Sequence, residues 1–380
     1  MSPSVLHQPT RILAIDTSCD DTAAAVVCGR VVLSNVVASQ TQLHKPYGGV
    51  YPTIAKIAHR QNWPRVVELA LKRAQCQWSD LTAIAVTVGP GLAPALEVGI
   101  MAAKSLATEH HLPLIAINHV EAHAWSSQAL TKPQNWFQLN SLEQQNVAKF
   151  GTVKFPVLAI TVSGGHTQLL LIKAFGDYQI LGQTLDDAAG ECLDKVGRML
   201  SLGYPAGPVV EQMARLGNPT KFKFPLPMTT HADFNLSYSG LKTHARDLIT
   251  GLETQNQLDQ QTTYDICASL QTGVFHHLTY KLIKLLDHWR ITNKQPQLQA
   301  VWLGGGVAAN SILRQTLRQT LKPFNLKLMV PFSHRLCGDN AAMIGLIGGL
   351  KFHHGLSQTQ PDQLERQPRL ALEITPIVSN

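Results

Sequence analysis

The chain has 380 residues, of which 44% are hydrophobic and 15% charged, so it can bury a large core and is long enough for two domains. Its apolar runs are far shorter than a membrane span, and the N-terminus lacks a cationic start followed by an apolar stretch. This predicts a cytoplasmic protein with no membrane segment. The six cysteines include no C-x-x-C pair, which argues against a disulfide framework or a thiolate zinc site. A formal net charge of +7 permits an anionic partner.

The first part of the chain alternates strands with helices. Residues 11–16, 23–27 and 31–37 predict three strands, and a polar turn from Thr17 to Thr22 separates the first two. The elements predicted next are a helix at about 52–74, a strand at 83–88, the turn Gly89-Pro90-Gly91, a helix to about residue 110 and a strand at 114–117. A strand meander that continues into βαβ units predicts a mixed sheet.

The same arrangement starts again after a polar stretch. The predicted elements are strands at 157–162, 167–172, 178–183 and 298–303, and helices near 187–201, 207–216, 262–288 and after Gly304-Gly305-Gly306. We therefore expect a duplicated architecture with a cleft between two lobes. The expected parts are an N-terminal lobe at 1–130 completed by a helix near 338–350, an inserted polar loop at 131–153, a second lobe at 154–337 and a loose tail at 355–380.

Two histidines four residues apart follow the predicted strand at 114–117. On a helix, His119 and His123 would lie on one face and could share a metal ion. In the metalloprotease motif H-E-x-x-H the glutamate follows the first histidine, whereas Glu121 lies roughly 200° around the helix from either one, which disfavours a protease. Alternatively, Asn118 caps the helix, Glu121 completes a capping box, and the histidines are surface residues. A metal site also needs a further ligand from elsewhere.

Three turns could bind a nucleotide. The first, around Ser163-Gly164-Gly165, lies between two strands, so its N–H groups and the serine hydroxyl could hold a phosphate or carboxylate, although Gly-Gly is also a good hairpin turn. The turn from Asp16 to Thr22 takes the equivalent place in the first half and carries hydroxyls and carboxylates. Gly304-Gly305-Gly306 precedes a helix and allows close approach of a ligand. Together the three turns favour a nucleotide site.

Positive residues cluster in three places. Lys56 and Arg60 lie on one predicted helix, Lys221 and Lys223 flank Phe222, and Lys242 is close to His244 and Arg246. Each cluster could bind an anionic partner, although a cluster of this kind taken alone is more often a solvated face.

A series of motifs in one order from about residue 11 to 350 resembles the tRNA N6-adenosine threonylcarbamoyltransferase family (TsaD). The motifs are Asp16-Thr17-Ser18-Cys19-Asp20-Asp21-Thr22, Tyr47-Gly48-Gly49-Val50, Gly89-Pro90-Gly91-Leu92, His119 to His123, Val162 to Gln168, Asp187-Ala188-Ala189-Gly190-Glu191 with Asp194-Lys195, Ser239-Gly240-Leu241-Lys242-Thr243, Gly304 to Asn310 and Asp339-Asn340-Ala341. The resemblance implies an α/β fold of the two-lobed actin-like ATPase class, shared with heat-shock 70 proteins and sugar kinases. Duplicated mixed sheets and a central cleft are expected.

The resemblance also implies a reaction, namely transfer of a threonylcarbamoyl group from threonylcarbamoyl-AMP to N6 of adenosine 37 in tRNAs that read codons beginning with A. It implies one divalent metal ion per chain, Fe²⁺ or zinc, held by His119, His123 and Asp339. The implied substrate-binding residues are Thr161, Val162, Ser163, Gly164, Gly165, Asp194, Gly207, Glu211 and Asn310. Because an adenine amine is a poor nucleophile, a nearby carboxylate should assist it, and Asp20 and Asp21 are the candidates.

The partners implied are tRNA, an inactive paralogous subunit and a small ATPase of the same pathway. We expect the tRNA to dock on the basic residues Lys56, Arg60, Lys221, Lys223 and Lys242. The chain departs from the family pattern in having Asp16 and Asp21 where glutamate is usual, Ala206 in place of a glycine and Gly338 in place of a threonine. The alternatives are an ATPase or small-molecule kinase of the same fold, which would not need the two histidines, and a scaffolding paralogue, which would have lost them.

Overall fold

A computed structural model of the chain describes residues 9–150, 153–292, 297–357 and 361–372. The chain divides into two compact units. Unit 1 contains the residues up to His44, then Val50–Lys154, and the described residues from 330 to 372, so its last segment begins earlier than the expected residue 338. Unit 2 contains Lys45–Gly49 and Phe155–Met329. None of the described helices combines the length and the apolar character needed to cross a membrane.

Each unit is built on one mixed sheet. The strands are β1 (Arg11–Asp16), β2 (Asp21–Cys28), β3 (Val31–Ser39), β4 (Ala83–Gly89), β5 (Leu114–Asn118), β6 (Leu130–Thr131), β7 (Val157–Val162), β8 (Thr167–Ala174), β9 (Asp177–Gln183), β10 (Val301–Gly304) and β11 (Leu328–Met329). The strand order is β5-β4-β1-β2-β3-β6 in unit 1 and β11-β10-β7-β8-β9 in unit 2. In both sheets a first strand pairs antiparallel with the second and parallel with the later one, β4 or β10. The predicted duplication of a mixed sheet is confirmed.

The helices cover these sheets. They are α1 (Thr41–His44), α2 (Pro52–Ala74), α3 (Ala93–Glu109), α4 (His119–Trp125), α5 (Ser141–Ala148), α6 (Ala189–Met199), α7 (Gly207–Ala214), α8 (Ser239–Thr254), α9 (Gln260–Thr292), α10 (Ser311–Leu321) and α11 (Ala341–His353). Sequence analysis did not predict α8. It also placed the start of α10 too early, because residues 306–309 form a short 3-10 turn before Asn310 caps the helix.

Helix α11 lies directly on the sheet of unit 1 because small residues face it. A Cβ atom added to Gly345 would come within 2.7 Å of Val27 Cγ2, and one added to Gly348 would come within 2.7 Å of Ala85 Cβ. Real Cβ atoms do not approach this closely, so the helix can sit here only with glycine at these positions. Asp339 immediately precedes this helix, so the packing of α11 fixes where Asp339 lies.

The segment at 131–153 is not simply an inserted loop. Residues 151–152 lie outside the described residues, but the rest contains α5, which begins with a capping box between Asn140 and Glu143. The Trp136 side chain has no exposed surface and belongs to the hydrophobic core of unit 1. An aromatic side chain and a capped helix therefore anchor this segment despite its polar composition.

The described part of the tail, 361–372, packs against unit 1 instead of lying loose. Leu364 is 4% exposed and belongs to the core of unit 1. Backbone hydrogen bonds join Gln367 N–H to the Val88 carbonyl (2.7 Å) and Gly91 N–H to the Pro368 carbonyl (3.1 Å). Residues 358–360 and 373–380 of the predicted tail lie outside the described residues.

Candidate functional site

Three parallel strands bring the candidate metal ligands of unit 1 to one edge of the sheet. Strands β1, β4 and β5 are parallel neighbours, so their carboxyl ends meet there. Asp16 is the last residue of β1, and His119 directly follows β5 at the start of α4. Helix α11 begins at the same edge, just after Asp339. Residues far apart in sequence therefore converge.

Helix α4 is oriented by its cap and by a buried ion pair. The Asn118 side-chain oxygen accepts hydrogen bonds from the N–H groups of Val120 (2.9 Å) and Glu121 (3.2 Å). Glu121 is 5% exposed, and its carboxylate lies 3.3 Å from the Lys351 ammonium on α11. Asn118 is thus the predicted N-cap, but Glu121 faces Lys351, away from the histidine pair. The alternative of surface histidines is wrong, because both are buried.

The structure brings His119, His123 and Asp339 together, and we call them the metal-ligand triad. Their donor atoms all lie within 4.8 Å of one another. Asp339 Oδ1 is 3.3 Å from His119 Nε2 and 3.2 Å from His123 Nε2. Two atoms that each bind one ion at about 2.1 Å are roughly 3.0 to 3.4 Å apart, so these separations fit a shared metal ion. The Asp339 side chain is one-quarter exposed, which leaves that side of the triad open.

The charges around the triad also suit a cation. Burial lowers the pKa of His119, but the carboxylates of Asp339 and Asp16 outweigh burial and raise that pKa to about 10. Burial, together with the neighbouring His119, lowers the pKa of His123. Two carboxylates beside buried imidazoles need a positive charge, which a proton on His119 can supply. A divalent ion can supply it equally well, with both histidines neutral.

Asp16 is a further residue of the candidate site, and sequence reasoning did not place it beside the histidines. Its Oδ1 lies 3.7 Å from Nδ1 of His119, the ring nitrogen that faces away from Asp339, and Asp16 has no exposed surface. This separation is longer than a hydrogen bond, so Asp16 acts on the ring through its charge. The sequence contained a signal for this position. Asp16 ends a predicted strand, and an acid at the carboxyl end of a parallel strand lies at the edge of the sheet where the other candidate ligands meet.

Asp20 and Asp21 follow in a turn of unit 1 whose backbone is firmly held. We call residues 17–21 the acid turn. Its carbonyl groups accept three hydrogen bonds, from Leu92 N–H to Ser18 (2.8 Å), from His59 Nε2 to Cys19 (3.0 Å) and from Gln40 N–H to Asp20 (3.1 Å). Burial and neighbouring carboxylates raise the pKa of Asp21 to about 7, and burial and Asp339 raise that of Asp20. Asp21 Oδ1 is buried without a hydrogen-bond partner. Such carboxylates can accept a proton near neutral pH.

The equivalent turn of unit 2, between β7 and β8, is open. We call residues 163–166 the glycine turn. Ser163 N–H donates to the His166 carbonyl (2.8 Å), and Ser163 Oγ accepts from His166 N–H (3.0 Å), so the hairpin interpretation holds. Gly164 and Gly165 are exposed, and a Cβ added to either would have no atom within 4 Å. Glycine is not needed here for the backbone conformation. What the two glycines provide is the absence of a side chain above the turn.

Of the other predicted substrate residues, Thr161 and Val162 directly precede this turn, at the end of β7. Thr161 pairs in register with Gly304, and its hydroxyl is buried without a hydrogen-bond partner, while Val162 is fully buried. The side chains of the remaining three are engaged within unit 2: Asp194 accepts from Gly207 N–H, Glu211 from Ser311 N–H (3.0 Å) and hydroxyl (2.7 Å), and Asn310 caps α10 and donates to Gln271 (2.8 Å). Asp194 and Glu211 therefore bind the helix starts at Gly207 and Ser311.

The five basic residues predicted for tRNA differ in their surroundings. Lys56 pairs with Glu97 at 2.9 Å within unit 1, and Lys242 pairs with Asp187 within unit 2. Arg60, Lys221 and Lys223 are exposed, and none of the three has an ion pair among the residues that the structure describes. The latter three are better placed to meet phosphate groups.

The fold of the chain is that of the actin-like ATPases. The crystal structure of HypF from T. kodakarensis is similar with a TM-score of 0.56, at 14% identity, over 94% of this chain and 49% of that one. A full-length HypF structure in a phosphate- and nucleotide-bound form gives 0.54, at 12% identity, over 91% and 56%. These likenesses and the duplicated mixed sheets confirm the expected α/β fold.

Sequence comparison identifies the family within this class. The model of the tRNA N6-adenosine threonylcarbamoyltransferase family (TsaD) matches residues 31–137 and 129–346. A protein of that name from Thermosynechococcus vestitus is 42% identical over 369 residues, which cover 95% of each chain. One from Brucella anthropi is 41% identical over 365 residues, 94% of each. The chain belongs to this family and is a transferase.

Proposed function

We propose that the chain transfers a threonylcarbamoyl group from threonylcarbamoyl-AMP to N6 of adenosine 37 in tRNA, in tRNAs that read codons beginning with A. The observation that carries the proposal is the metal-ligand triad, in which two buried histidines and a partly exposed aspartate converge on one point. A kinase or ATPase of the same fold has no need of this arrangement. The names of the relatives support the same reaction.

In this proposal His119, His123 and Asp339 hold one Fe²⁺ or zinc ion, and Asp16 acts on the His119 ring through its charge. When bound, the ion supplies Lewis acidity that polarises a carbonyl group of the acyl donor. Three protein ligands leave coordination positions for a substrate, and the exposed side of Asp339 is where a substrate would enter. The buried environment strengthens each of these interactions.

The glycine turn and its neighbours in unit 2 would hold the AMP end of the donor. With no side chain above the turn, the Gly164 N–H suits a phosphate oxygen, while the Gly165 N–H donates to Ser163 Oγ (3.4 Å) and would have to exchange that bond; the helix start at Gly207 would add a favourable dipole. The unpartnered Thr161 hydroxyl can donate a further hydrogen bond. AMP is a good leaving group, and these donors stabilise the charge that develops on its phosphate.

Asp21, with Asp20 beside it, is the proposed base for the adenine amine. The lone pair of that amine is delocalised into the ring, so bond formation is helped when a carboxylate accepts a proton from the nitrogen. The raised pKa of Asp21, about 7, matches this task because the carboxylate is then basic enough to take the proton near neutral pH. Its unpartnered Oδ1 is the atom available to accept it.

The tRNA would meet Lys221, Lys223 and Arg60 through its phosphates, with Lys56 and Lys242 contributing less because their charges are already paired. A cytoplasmic location, an inactive paralogous subunit and a small ATPase complete the proposal. Exposed apolar side chains on unit 1, such as Ile57 at 52% and Met101 at 60%, are consistent with a protein partner.

Complementation tests the proposal. The chain is expressed in a bacterial strain whose own enzyme for this modification is depleted, and the tRNA nucleosides are analysed by mass spectrometry. We expect threonylcarbamoyladenosine to return with the unaltered chain and to stay absent with His123→Ala, while Glu121→Gln, which faces away from the triad, restores it. Growth without the modified nucleoside, or equal restoration by His123→Ala, would contradict the proposal.

A further inference from the structure

A chain of buried polar side chains runs beneath the acid turn of unit 1. His44 and His59 have no exposed surface, and neither has Thr22, while Gln40 is 1% exposed. None of them contacts the metal-ligand triad in the described structure. Buried polar groups are costly unless they are hydrogen-bonded, so the arrangement of this set carries information.

The donors and acceptors of these hydrogen bonds determine which ring nitrogen of each histidine carries the proton. A backbone carbonyl can only accept, so His59 Nε2 donates to the Cys19 carbonyl (3.0 Å), and the Nδ1 of the neutral ring accepts from the Thr22 hydroxyl (2.8 Å). Burial lowers the pKa of His59, which agrees with a neutral ring.

The hydrogen bonds continue to the start of α2. Gln40 Nε2 donates to the Thr22 oxygen (3.5 Å), and His44 Nε2 donates to Gln40 Oε1 (3.2 Å). His44 Nδ1 accepts from Tyr51 N–H (3.3 Å), so both histidines carry their proton on Nε2. A run of bonds in which every donor and acceptor is matched is stronger than its separate members.

This run ends on the acid turn. The Cys19 carbonyl lies one residue before Asp20, and the backbone N–H of Gln40 holds the Asp20 carbonyl (3.1 Å). Both bonds are made to backbone carbonyls, so they hold the turn without engaging either carboxylate. Without the His59 bond the peptide between Cys19 and Asp20 would lose its anchor, and the carboxylates could reorient.

We propose that His59, supported by Thr22, Gln40 and His44, is a positioning residue that fixes the acid turn and thereby the direction of the Asp20 and Asp21 carboxylates. This inference rests on the proposed function, in which those carboxylates assist the adenine amine. His59 does not itself meet the substrate. Its effect reaches the reaction through the Cys19 carbonyl.

The variants His59→Gln and His59→Asn differ in whether they can keep the hydrogen bond to the Cys19 carbonyl. In His59→Gln the side-chain amide nitrogen can take the place of Nε2, whereas the shorter side chain of His59→Asn reaches only the place of Nδ1. His59→Leu removes both bonds. His277→Leu is the matched control, since His277 is a fully buried histidine of unit 2 that accepts from Ser237 N–H (3.1 Å).

Cys19 provides a readout that needs no activity. It is the one partly exposed cysteine, and the other five are buried. Alkylation of Cys19 by iodoacetamide, followed by mass spectrometry of its peptide, reports how firmly the turn is held. The five buried cysteines report global unfolding in the same sample.

We expect alkylation of Cys19 to be about tenfold faster in His59→Asn and His59→Leu than in the unaltered chain, and nearly unchanged in His59→Gln and His277→Leu. The kcat for threonylcarbamoyl transfer should fall in the same order, with the KM for tRNA within about twofold. Equal alkylation rates in the three His59 variants, or faster alkylation with unchanged kcat, would overturn the inference. If the unaltered chain forms no modified nucleoside, the proposed function fails, and the alkylation rates decide by themselves whether His59 holds the turn.

Discussion

The acid turn and the glycine turn occupy equivalent places in two sheets of the same order, yet they are built in opposite ways. In the acid turn of unit 1, three successive carbonyl groups accept hydrogen bonds from surrounding elements, and the turn carries two carboxylate side chains. In the glycine turn of unit 2, Ser163 and His166 hydrogen-bond to each other, the Ser163 carbonyl accepts from Gly190 N–H (3.3 Å), and the space above Gly164 and Gly165 is open. In the proposed function, the duplicated frame would supply a base and metal ligands in one unit and an anion-binding turn in the other.

The largest expected effect is loss of the metal ion from unit 1. Removing an outer-sphere partner of a metal ligand commonly weakens affinity by about 10- to 100-fold, so Asp339→Ala and His123→Ala should weaken it further and leave almost no metal on the purified protein. Metal analysis by mass spectrometry measures this. Glu121→Gln is the control, because Glu121 contacts Lys351 and should keep the metal. Unchanged stoichiometry in both ligand variants would show that the triad is only an internal ion pair.

Next is a change confined to unit 2. Gly165→Val should abolish binding of AMP or a stable threonylcarbamoyl-AMP mimic, because the new side chain fills the space above the turn. The unfolding temperature should hardly change, since that space is empty and the backbone is not in the left-handed region. Isothermal calorimetry measures the affinity. Gly251→Val, at another glycine with open surroundings on α8, should bind normally. Normal binding by Gly165→Val would remove the glycine turn from the site.

A moderate effect is expected for tRNA binding. Replacing Lys221 and Lys223 with glutamate should weaken binding and lower the dependence of log affinity on log salt by about two, because each of the two lysines would no longer neutralise a phosphate group. Filter binding over a salt series gives both values. The double variant Lys322→Glu with Lys327→Glu, at exposed lysines elsewhere on unit 2, is the matched control. Identical slopes in both double variants would mean that the RNA approaches another face.

A smaller effect concerns pH and the acid turn. The folded pKa of Asp21, about 7, exceeds the ordinary 3.8, so between these values the folded chain holds a proton that the unfolded chain has released. Stability from this group is therefore present below pH 3.8 and is lost as pH rises through 7. In protein stripped of metal, Asp21→Asn should flatten that decline in urea unfolding. A variant with the same pH dependence as the unaltered protein would place Asp21 in an ordinary environment.

The smallest effect is expected at Gly338, beside Asp339. An added Cβ would have no atom within 4 Å, and the backbone is not in the left-handed region. Gly338→Thr, which installs the usual family residue, should change the unfolding free energy by less than about 0.5 kcal/mol and leave the metal content unchanged. Thermal unfolding with metal analysis checks both. A loss of metal would show that the triad depends on a glycine here.

Sequence patterns were most informative where neighbours in sequence decide the structure. Alternating apolar residues and polar turns gave the strands of both meanders, and the four-residue spacing placed His119 and His123 on one helix. Asp339 lies 216 residues beyond His123, so only the family resemblance could suggest it. The ion pair between Glu121 and Lys351 could not be predicted from the sequence, because pairing between distant helices leaves no local pattern.

Two segments show why composition misleads. Gln and Asn suggested a polar loop at 131–153, but the capping-box pattern from Asn140 to Glu143 was readable and marks the start of α5. The sequence of the tail at 361–372 has no helical or strand period. Backbone hydrogen bonds and the buried Leu364 nevertheless hold it on unit 1. Irregular segments of this kind are recognised only from the surface they cover.

The most direct test of the account is threonylcarbamoyl transfer with purified components. Labelled threonylcarbamoyl-AMP, the metal-loaded chain with its partner proteins and two tRNAs are used, one with adenosine at position 37 and one with guanosine there. We predict that label enters only the adenosine-containing tRNA, at N6, with release of AMP, and that chelation of the metal stops it. Hydrolysis of ATP to ADP without tRNA, together with no labelled nucleoside, would contradict the account and favour a kinase or ATPase of the same fold.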